Sequence, residues 1–179
     1  RWLTKQKKIR VIVNPWFVPF TLLDSEKQIR GISGDLLNFI SLQTGIQFET
    51  VVVTSHQQLL DEMHKGGAYI VQPAVLDNRD DAVMRYSHPF VNTQFVVVVN
   101  KTSGRHPQLE LGMRVAISEG HILDEALRSR YPEITWLTVD NVSIALNLLA
   151  NGKVDGVIAN RLSARYLRQH YYPEQFSWA

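Results

Sequence analysis

The sequence predicts an α/β protein made of two small parallel-sheet lobes that are joined by a hinge. Within the 179 residues, the order strand, helix, strand, helix, strand occurs twice. Each predicted strand is short and rich in β-branched residues, and each helix carries apolar residues at a spacing of three and four. Between the two repeats of this order lies an apolar strand followed by a polar linker. Alternation of strands and helices is the pattern of parallel α/β units.

The first repeat is recognised by its strands and by the residues that end its helices. A helical face of Leu36, Leu37, Phe39 and Ile40 stops at Gly45, a typical residue after a helix C-terminus. Ser55 and Gln58 have the spacing of a capping box, which predicts a helix through Leu59, Leu60 and Met63 up to Gly66. The strands predicted around these helices are Ile9–Val13, Ile46–Val53 and Tyr69–Val71.

The second repeat has the same order of elements. Ile122, Leu123, Ala126 and Leu127 predict a helix that ends at Tyr131-Pro132, because proline cannot continue a helix. Asp140 or Asn141 caps a helix with Ile144, Ala145, Leu148 and Leu149 on one face, and Gly152 closes it. A last helix carries Ala164, Tyr166 and Leu167. The predicted strands are Arg114–Ile117, Ile134–Val139 and Val154–Ala159.

The segment Phe95–Gly104 joins the two repeats. Its apolar part reads FVVVV and its polar part reads NKTSG. We therefore expect a first lobe over residues 8–97, a second lobe over residues 98–179, and a hinge between them. In open α/β sheets ligands bind beyond the carboxyl ends of the strands, so a ligand site is expected at those ends.

The composition excludes several classes of function. The chain has no cysteine, which removes disulfide frameworks, thiol catalysis and cysteine-ligated metal sites. Its formal net charge is only +2, and no stripe of basic residues alternates with aromatic ones, so no nucleic-acid partner is expected. The longest apolar run, Phe95–Val99, is too short to span a bilayer. No cofactor and no metal site is predicted.

Polar and aromatic residues that follow the predicted strands form the candidate ligand site. Arginine suits carboxylate capture, because its guanidinium is a rigid fork of donors. Each candidate also has a structural alternative: Arg79 in a surface ion pair, Phe17 at the top of a core, and His121 or Asn160 as a helix cap. The candidates are Asn14, Phe17, Gln72, Ala74, Arg79, His121 and Asn160.

Catalytic motifs are absent from the sequence. It has no G-x-S-x-G elbow, no H-E-x-x-H pair, no P-loop and no G-x-G-x-x-G turn. The six histidines are scattered along the chain. We therefore expect a module that binds and does not catalyse.

Four blocks, in this order, resemble the type-3 extracellular solute-binding proteins, which are bilobed Venus-flytrap domains of the type II periplasmic-binding-protein class. Together they span nearly the whole chain. The blocks are Asn14–Phe20, Gly31–Leu37, Leu76–Arg79 with Ser87–Phe90, and Asn151–Ile158.

Within that family the chain is most similar to the periplasmic sensory modules of BvgS/EvgS-type hybrid sensor histidine kinases. Trp2-Leu3 resembles the helix that introduces such modules, so residues 1–7 are expected to form an entry helix or linker. The resemblance extends to Leu42–Gly45, Tyr131–Ile134 and His170–Pro173.

The resemblance also assigns roles to residues. Phe17 matches the aromatic residue that stacks on the ligand in amino-acid-binding relatives, and Arg79 matches the arginine that holds the α-carboxylate. His121 stands where those relatives have Thr or Ser, and Asn160 stands where they have the acidic partner of the α-amino group. Loss of that charge-assisted bond weakens amino-acid binding by about 1–3 kcal/mol, tenfold or more. A small carboxylate without an amine, or no ligand at all, fits this set better.

The resemblance implies a periplasmic module of an inner-membrane protein that signals by opening and closing of its lobes. Its implied partners are a small carboxylate or amino-acid-like ligand, and the adjacent flytrap module and transmembrane kinase of the same parent chain. Two alternatives remain: a receptor for an ABC transporter, and the regulatory flytrap of a lytic transglycosylase. As a further hypothesis, a charge change of His88 and His121 at mildly acidic pH biases closure.

The relatives in this family complete the first lobe with a strand and helix that return from the second lobe. The sequence stops at Trp178-Ala179, before such a return. We therefore expect an exposed apolar edge on the first lobe that favours a homodimer.

Overall fold

The computed structural model describes residues 8–65, 70–72 and 85–179. The chain divides into two compact units, residues 1–74 and residues 75–179. Each unit has its own sheet, and each is described below by itself.

Unit 1 contains a three-stranded parallel sheet with strand order β4-β1-β5, and a small antiparallel pair, β2 and β3. Its elements are β1 (Lys8–Val13), β2 (Leu22–Leu23), β3 (Ile29–Arg30), α1 (Ile32–Thr44), β4 (Gln47–Val52), α2 (His56–His64) and β5 (Ile70–Gln72). Val11, Val13 and Leu37 form the buried centre of this unit. The central strand β1 is therefore covered by α1, as the repeated strand and helix order predicts.

The predicted end of α1 at Gly45 and the predicted cap of α2 at Ser55 are confirmed, while the end predicted for α2 at Gly66 lies outside the described residues. Gly45 follows α1 with φ 71°, a left-handed conformation that favours glycine. Ser55 caps α2, because its side chain accepts a hydrogen bond from the Gln58 N–H at 3.1 Å. In a complete capping box the Gln58 side chain would accept a hydrogen bond from the N–H of Ser55. Here Gln58 Oε1 accepts instead from the N–H of Thr54.

The apolar face predicted for α1 is only partly buried. Leu37 is buried and Phe39 is 60% exposed; Leu42, which was not part of the predicted face, is 84% exposed. At the N-terminal end of α1 the buried residues are two small ones, Ser33 and Gly34. Small residues let the helix backbone approach its neighbours closely, a contact that hydrophobic periodicity does not reveal.

Unit 2 contains a five-stranded mixed sheet with strand order β10-β6-β9-β7-β8. Its elements are β6 (Phe95–Asn100), a short 3-10 helix (Lys101–Ser103), β7 (Arg114–Ser118), α3 (Asp124–Arg130), β8 (Thr135–Val139), α4 (Val142–Ala150), β9 (Gly156–Asn160), α5 (Arg161–Tyr171) and β10 (Phe176–Trp178). Val99, Met113, Val115, Ile117, Ile134 and Ile158 form its core.

Three features of unit 2 differ from the sequence prediction. The sheet is not wholly parallel, because β6 and β10 run antiparallel to their neighbours. Helix α3 begins at Asp124, so Ile122 and Leu123 lie in the turn before it. On α4 the buried residues include Leu146, while Ile144 is 41% exposed. Val142, in the first turn of α4, is also buried, so the buried face is rotated from the predicted one.

The segment predicted to join the lobes is a strand of the unit 2 sheet. β6 pairs with β9 on one side and with β10 on the other. The chain divides between residues 74 and 75, whereas the sequence places the lobe limits at 97 and 98. A division by compactness does not locate a hinge, so the lobe limits stay a prediction. The entry segment, residues 1–7, lies outside the described residues.

Candidate functional site

In unit 1, Asn14 and Phe17 lie in the turn directly after the central strand β1. Asn14 Oδ1 accepts a hydrogen bond from the Trp16 N–H at 3.0 Å, which is an Asx turn. The Phe17 ring is partly exposed and stacks on the buried ring of Phe20, with 5.0 Å between centroids. One face of Phe17 is thus fixed by the core, and the residue keeps some contact with solvent.

The N-terminus of α1 holds this aromatic turn in place. The N–H of Ser33 donates to the carbonyl of Phe20 at 2.8 Å, and the N–H of Ile32 donates to the carbonyl of Pro19 at 3.3 Å. Gly31 has φ 81°, and a Cβ there would lie 2.4 Å from the Pro19 carbonyl oxygen. The two sequence blocks Asn14–Phe20 and Gly31–Leu37 are therefore one structural element: a turn and the helix start that supports it.

Of the predicted site residues Gln72, Ala74 and Arg79, the structure describes only the backbone of Gln72. Gln72 ends β5, which pairs with β1 so that Val13 lies opposite Gln72. The backbone of Gln72 therefore ends at the same sheet edge as β1. Ala74 and Arg79 lie outside the described residues, as does the side chain of Gln72.

In unit 2, His121 lies in the turn between β7 and α3. Its Nδ1 accepts a hydrogen bond from the Leu123 N–H at 3.1 Å. Its Nε2 is shut off from solvent and has no hydrogen-bond partner within the described ranges 8–65, 70–72 and 85–179. The Phe95 ring packs edge-on against the imidazole, with 4.6 Å between centroids. His121 therefore holds the turn before α3, and the helix cap predicted as its alternative role is not observed, because α3 begins after Leu123 without a side-chain cap bond.

The environment of His121 favours the neutral ring. Burial lowers its pKa from the ordinary value to about 4, and the nearby Asp124 carboxylate opposes this shift only in part. The lowered pKa argues against the hypothesis that mildly acidic pH changes the charge of His121, and the hypothesis itself stays a prediction.

Asn160 is the last residue of β9 and is 6% exposed. Its Oδ1 accepts two hydrogen bonds, from the Leu162 N–H at 2.9 Å and from the Thr93 hydroxyl at 3.1 Å. The first of these is the N-cap of α5, so the structural alternative predicted for Asn160 is observed. A contact with a ligand through the remaining amide group stays a prediction.

The sheet brings His121 and Asn160 to one edge of unit 2. Strands β7 and β9 are parallel neighbours, with Val115 opposite Gly156 and Ala116 opposite Val157, so their carboxyl ends lie side by side. Phe95 pairs with Asn160 across β6 and β9 and also packs on His121. Neither Phe95 nor Thr93 was predicted as a site residue. The hydrogen bond from Thr93 to Asn160 joins residues that are 67 positions apart, and local sequence patterns do not reveal such a contact.

The aspartate of the fourth sequence block, Asp155, has a structural role. The Asp155 carboxylate accepts from the Arg114 backbone N–H at 2.9 Å and from Arg114 Nε at 3.1 Å. The Arg114 guanidinium holds the pKa of Asp155 below its usual value. Asp155 thereby ties the start of β7 to the loop before β9, at the edge opposite His121.

Other site types receive no support from the described residues. They contain no group of three or more His, Asp or Glu placed to hold a metal ion. Nor does that part of the chain contain a helix both long enough and apolar enough to cross a bilayer. An open cavity of about 340 Å³ lies at the C-terminal end of α5, lined by Arg165, Arg168, Gln169, Pro173 and Glu174, and it includes none of the predicted site residues.

Comparison with known proteins identifies the chain's family. The family model for bacterial extracellular solute-binding proteins, family 3, matches residues 9–129. The sensor protein EvgS of Escherichia coli (strain K12) is 31% identical over 98% of this chain. The chain spans only 15% of the length of that sensor protein.

Solved structures confirm the predicted α/β flytrap fold class. The periplasmic VFT2 domain of BvgS from Bordetella pertussis superposes with a TM-score of 0.82 at 26% identity, over 98% of this chain and 76% of that domain. The arginine-bound form of truncated ArgBP from T. maritima gives a TM-score of 0.85 at 22% identity, over 99% of this chain and 84% of that protein. The second likeness concerns the fold alone.

Proposed function

The chain belongs to the bacterial extracellular solute-binding proteins, family 3, and we propose that it is a periplasmic ligand- or state-sensing flytrap module of a hybrid sensor histidine kinase. The family binds solutes and is not catalytic. The sensor role is supported by the similarity to EvgS, which covers 98% of this chain and 15% of the sensor protein. A module embedded in a long sensor fits a signalling task better than a transport task.

The proposed ligand is a small carboxylate that lacks an amine. Arg79 is proposed to hold the carboxylate through its guanidinium fork, and Phe17 is proposed to offer its partly exposed ring as the stacking surface. Ala74 and Gln72 are proposed to contribute from the end of β5. Asn160 is neutral and already accepts two hydrogen bonds, so it does not supply the negative charge that an α-ammonium needs.

The proposed mechanism is a population shift between open and closed arrangements of the lobes. A ligand biases this equilibrium only by binding one arrangement more tightly than the other. The adjacent flytrap module and the transmembrane kinase of the parent chain are the proposed receivers of the change. A state-sensing module uses the same two arrangements without a ligand.

A homodimer is proposed for the parent protein. Phe39 and Leu42 leave an apolar surface on α1 in unit 1. Sedimentation of the chain at high concentration tests this, because a monomer at all concentrations contradicts self-association through this surface.

The test of the ligand proposal is a thermal-shift and calorimetric screen of small carboxylates and amino acids. We expect carboxylates without an amine to bind, and Arg79→Ala to lose that binding. Arg130→Ala, at an exposed position at the end of α3, is the matched control and keeps it. Equal binding by the parent chain and Arg79→Ala would show that this arginine holds no ligand. Tight binding of free amino acids would favour the transport-receptor alternative.

A further inference from the structure

We propose that the open cavity at the C-terminal end of α5 binds a carboxylate on an acidic segment of a protein partner. The cavity has a volume of about 340 Å³ and is lined by Arg165, Arg168, Gln169, Pro173 and Glu174. It lies wholly within unit 2 and includes none of the residues proposed to hold the small carboxylate. This second site is therefore independent of the proposed function.

The lining of the cavity carries more positive than negative charge. Arg165 and Arg168 are cations, and Glu174 is the one acidic residue among the lining residues. Lys101 pairs with Glu174 and brings a third cation to the same wall. The pKa of Glu174 is lowered, first by its hydrogen bond with Lys101 and then by the charges of Lys101 and Arg168, so this carboxylate stays ionised and is already compensated. An anionic group on a ligand therefore balances the charge of this surface.

Arg165 is a cation of the cavity that lacks a partner. It is exposed on α5 and forms no hydrogen bond, ion pair or ring contact with any residue in the ranges 8–65, 70–72 and 85–179. A guanidinium is a planar fork of donors that matches the two oxygens of a carboxylate. Arg168 lies three positions further along the helix and is its neighbour on the helix surface. The two guanidiniums are therefore placed to act on the same acidic group.

Packing on Trp178 fixes the Arg168 guanidinium and leaves most of its donors available. Its Cζ atom lies 4.4 Å from the centroid of the indole ring. Within the described residues it makes one hydrogen bond, from Nη1 to the carbonyl of Phe176 at 3.5 Å. A guanidinium that lies over an aromatic face keeps its in-plane N–H groups for acceptors at its edge. Arg168 is thus a positioned donor group, and Arg165 is the adaptable one beside it.

The turn after α5 forms the other wall of the cavity. Glu174 has φ 62°, in the left-handed region that residues other than glycine rarely adopt. The turn is held by the pair of Lys101 with Glu174 and by a hydrogen bond from the Lys101 N–H to the Gln175 carbonyl at 2.8 Å. Pro173 offers apolar surface in the same wall to the methylene groups of an acidic side chain. The wall is therefore formed before a partner binds, which lowers the entropic cost of binding.

The openness of the cavity favours a carboxylate on a protein over a free anion. Arg165, Gln169, Pro173 and Glu174 are all exposed, so a bound ion keeps much of its contact with water. One exposed ion pair strengthens binding by less than about sixfold. Several such contacts made by one segment add up, because every contact after the first is intramolecular. Phosphate fits less well than a carboxylate, because its second negative charge meets the carboxylate of Glu174.

The experiment titrates the 179-residue chain with blocked tetraglutamate peptide and follows NMR spectra that include the arginine Nε–H signals. Blocked tetraglutamine peptide is the neutral probe of the same length. The key variant is Arg165→Gln, because this exposed side chain makes no polar contact within the described part of the fold. Arg130→Gln, at an exposed position at the end of α3, is the matched control. Thermal unfolding of both variants verifies that they fold.

We expect the glutamate peptide to bind tenfold or more tightly than the glutamine peptide, a ratio that corresponds to one charge-assisted hydrogen bond. The largest shifts should fall on the Nε–H signals of Arg165 and Arg168 and on the indole N–H of Trp178. Arg165→Gln should remove most of the preference, and Arg130→Gln should retain it. Added NaCl should weaken the binding, because salt screens exposed charges.

Two kinds of result would overturn the proposal. The first is the absence of a preference for the glutamate peptide, or a preference that survives in Arg165→Gln. The second is tighter binding of inorganic phosphate than of the peptide, or binding of phosphatidylglycerol vesicles that Arg165→Gln abolishes, since either result assigns the cavity to a phosphate group. Arg79→Ala should keep peptide binding and Arg165→Gln should keep small-carboxylate binding, so this inference and the proposed function fail separately.

Discussion

Gly34 shows how a single missing side chain positions the aromatic turn of unit 1. A Cβ at this position would lie 2.4 Å from the carbonyl oxygen of Ile29, closer than any real contact. Glycine therefore allows α1 to pack against β3 and to support the turn that carries Phe17. Glycine also destabilises a helix relative to alanine, by about 1 kcal/mol, but this effect is smaller than the clash that a Cβ would cause.

We predict that Gly34→Ala destabilises the chain by about 1–3 kcal/mol, since overpacking against backbone exceeds the gain in helix propensity. Urea unfolding measures this. Asn38→Ala, on the exposed side of the same helix, is the control and should change stability little. A more stable Gly34→Ala variant would contradict the close approach of α1 to Ile29.

His121 predicts a particular dependence of stability on pH. Its folded-state pKa is about 4 and lies below the ordinary value, because burial disfavours the charged ring. As pH falls below about 6.5, the unfolded chain gains a proton that the folded chain does not. Stability from this residue is therefore fully present above pH 6.5 and falls toward pH 4, by at most about 3 kcal/mol.

The measurement is the unfolding free energy from urea titrations at pH 4.5 and pH 7. His121→Asn should show a smaller loss between the two pH values than the parent chain, and His106→Asn should match the parent. The Asp124 carboxylate acts on the pKa of the ring in the opposite direction. An unchanged pH dependence in His121→Asn would mean that the imidazole is accessible to protonation when folded.

Asp155 illustrates a motif residue whose contacts are structural. Its carboxylate accepts hydrogen bonds from both the backbone and the guanidinium of Arg114. We predict that Asp155→Ala destabilises the chain by about 1.5–3 kcal/mol, because charged hydrogen bonds are lost and β7 is released from β9.

Thermal and urea unfolding provide the check for Asp155. Glu174→Ala is the control, since that carboxylate is 83% exposed and forms a surface pair with Lys101. The control should change stability by no more than about 0.5 kcal/mol. Equal losses in the two variants would contradict the structural role of Asp155.

At the scale of elements, the N-cap of α4 shows how the structure decides between two residues that the sequence left open. The sequence leaves Asp140 and Asn141 as alternative caps of α4, and the structure selects Asn141, whose Oδ1 accepts from the Ile144 N–H at 3.1 Å. We predict that Asn141→Ala lowers the unfolding free energy by about 1 kcal/mol, whereas Asp140→Ala has little effect. Chemical unfolding of the two variants decides this, and the reverse order would reject the cap.

The order and type of most elements follow from the sequence, because hydrophobic spacing and turn residues report local preference. What the sequence does not reveal depends on distant contacts. β10 contains Phe176, which is fully buried, but three residues carry too little periodicity to predict a strand. The antiparallel direction of β6 is set by its pairing with β9, which lies some sixty positions away in the chain.

The same limit applies to the candidate site. Asn14, Phe17, His121 and Asn160 could be selected because they follow strands, and strand ends meet at a sheet edge. Their hydrogen-bonding states could not. The tautomer of His121 depends on a turn at Leu123, and the occupied oxygen of Asn160 depends on Thr93. Arg79 and Ala74 lie outside the described residues, so their roles stay predictions.

At the scale of the whole molecule, the central claim is that a small carboxylate changes the arrangement of two lobes. The chain has no cysteine, so single cysteines introduced by Asn38→Cys in unit 1 and Arg130→Cys in unit 2 accept spin labels selectively. Both positions are exposed on helices.

The most direct measurement is the distance distribution between these labels by electron–electron double resonance, without ligand and with saturating succinate. We predict that succinate raises the population at one distance at the expense of another. In Arg79→Ala the distribution should not respond. A distribution that stays unchanged while calorimetry records succinate binding would contradict the proposed signalling mechanism.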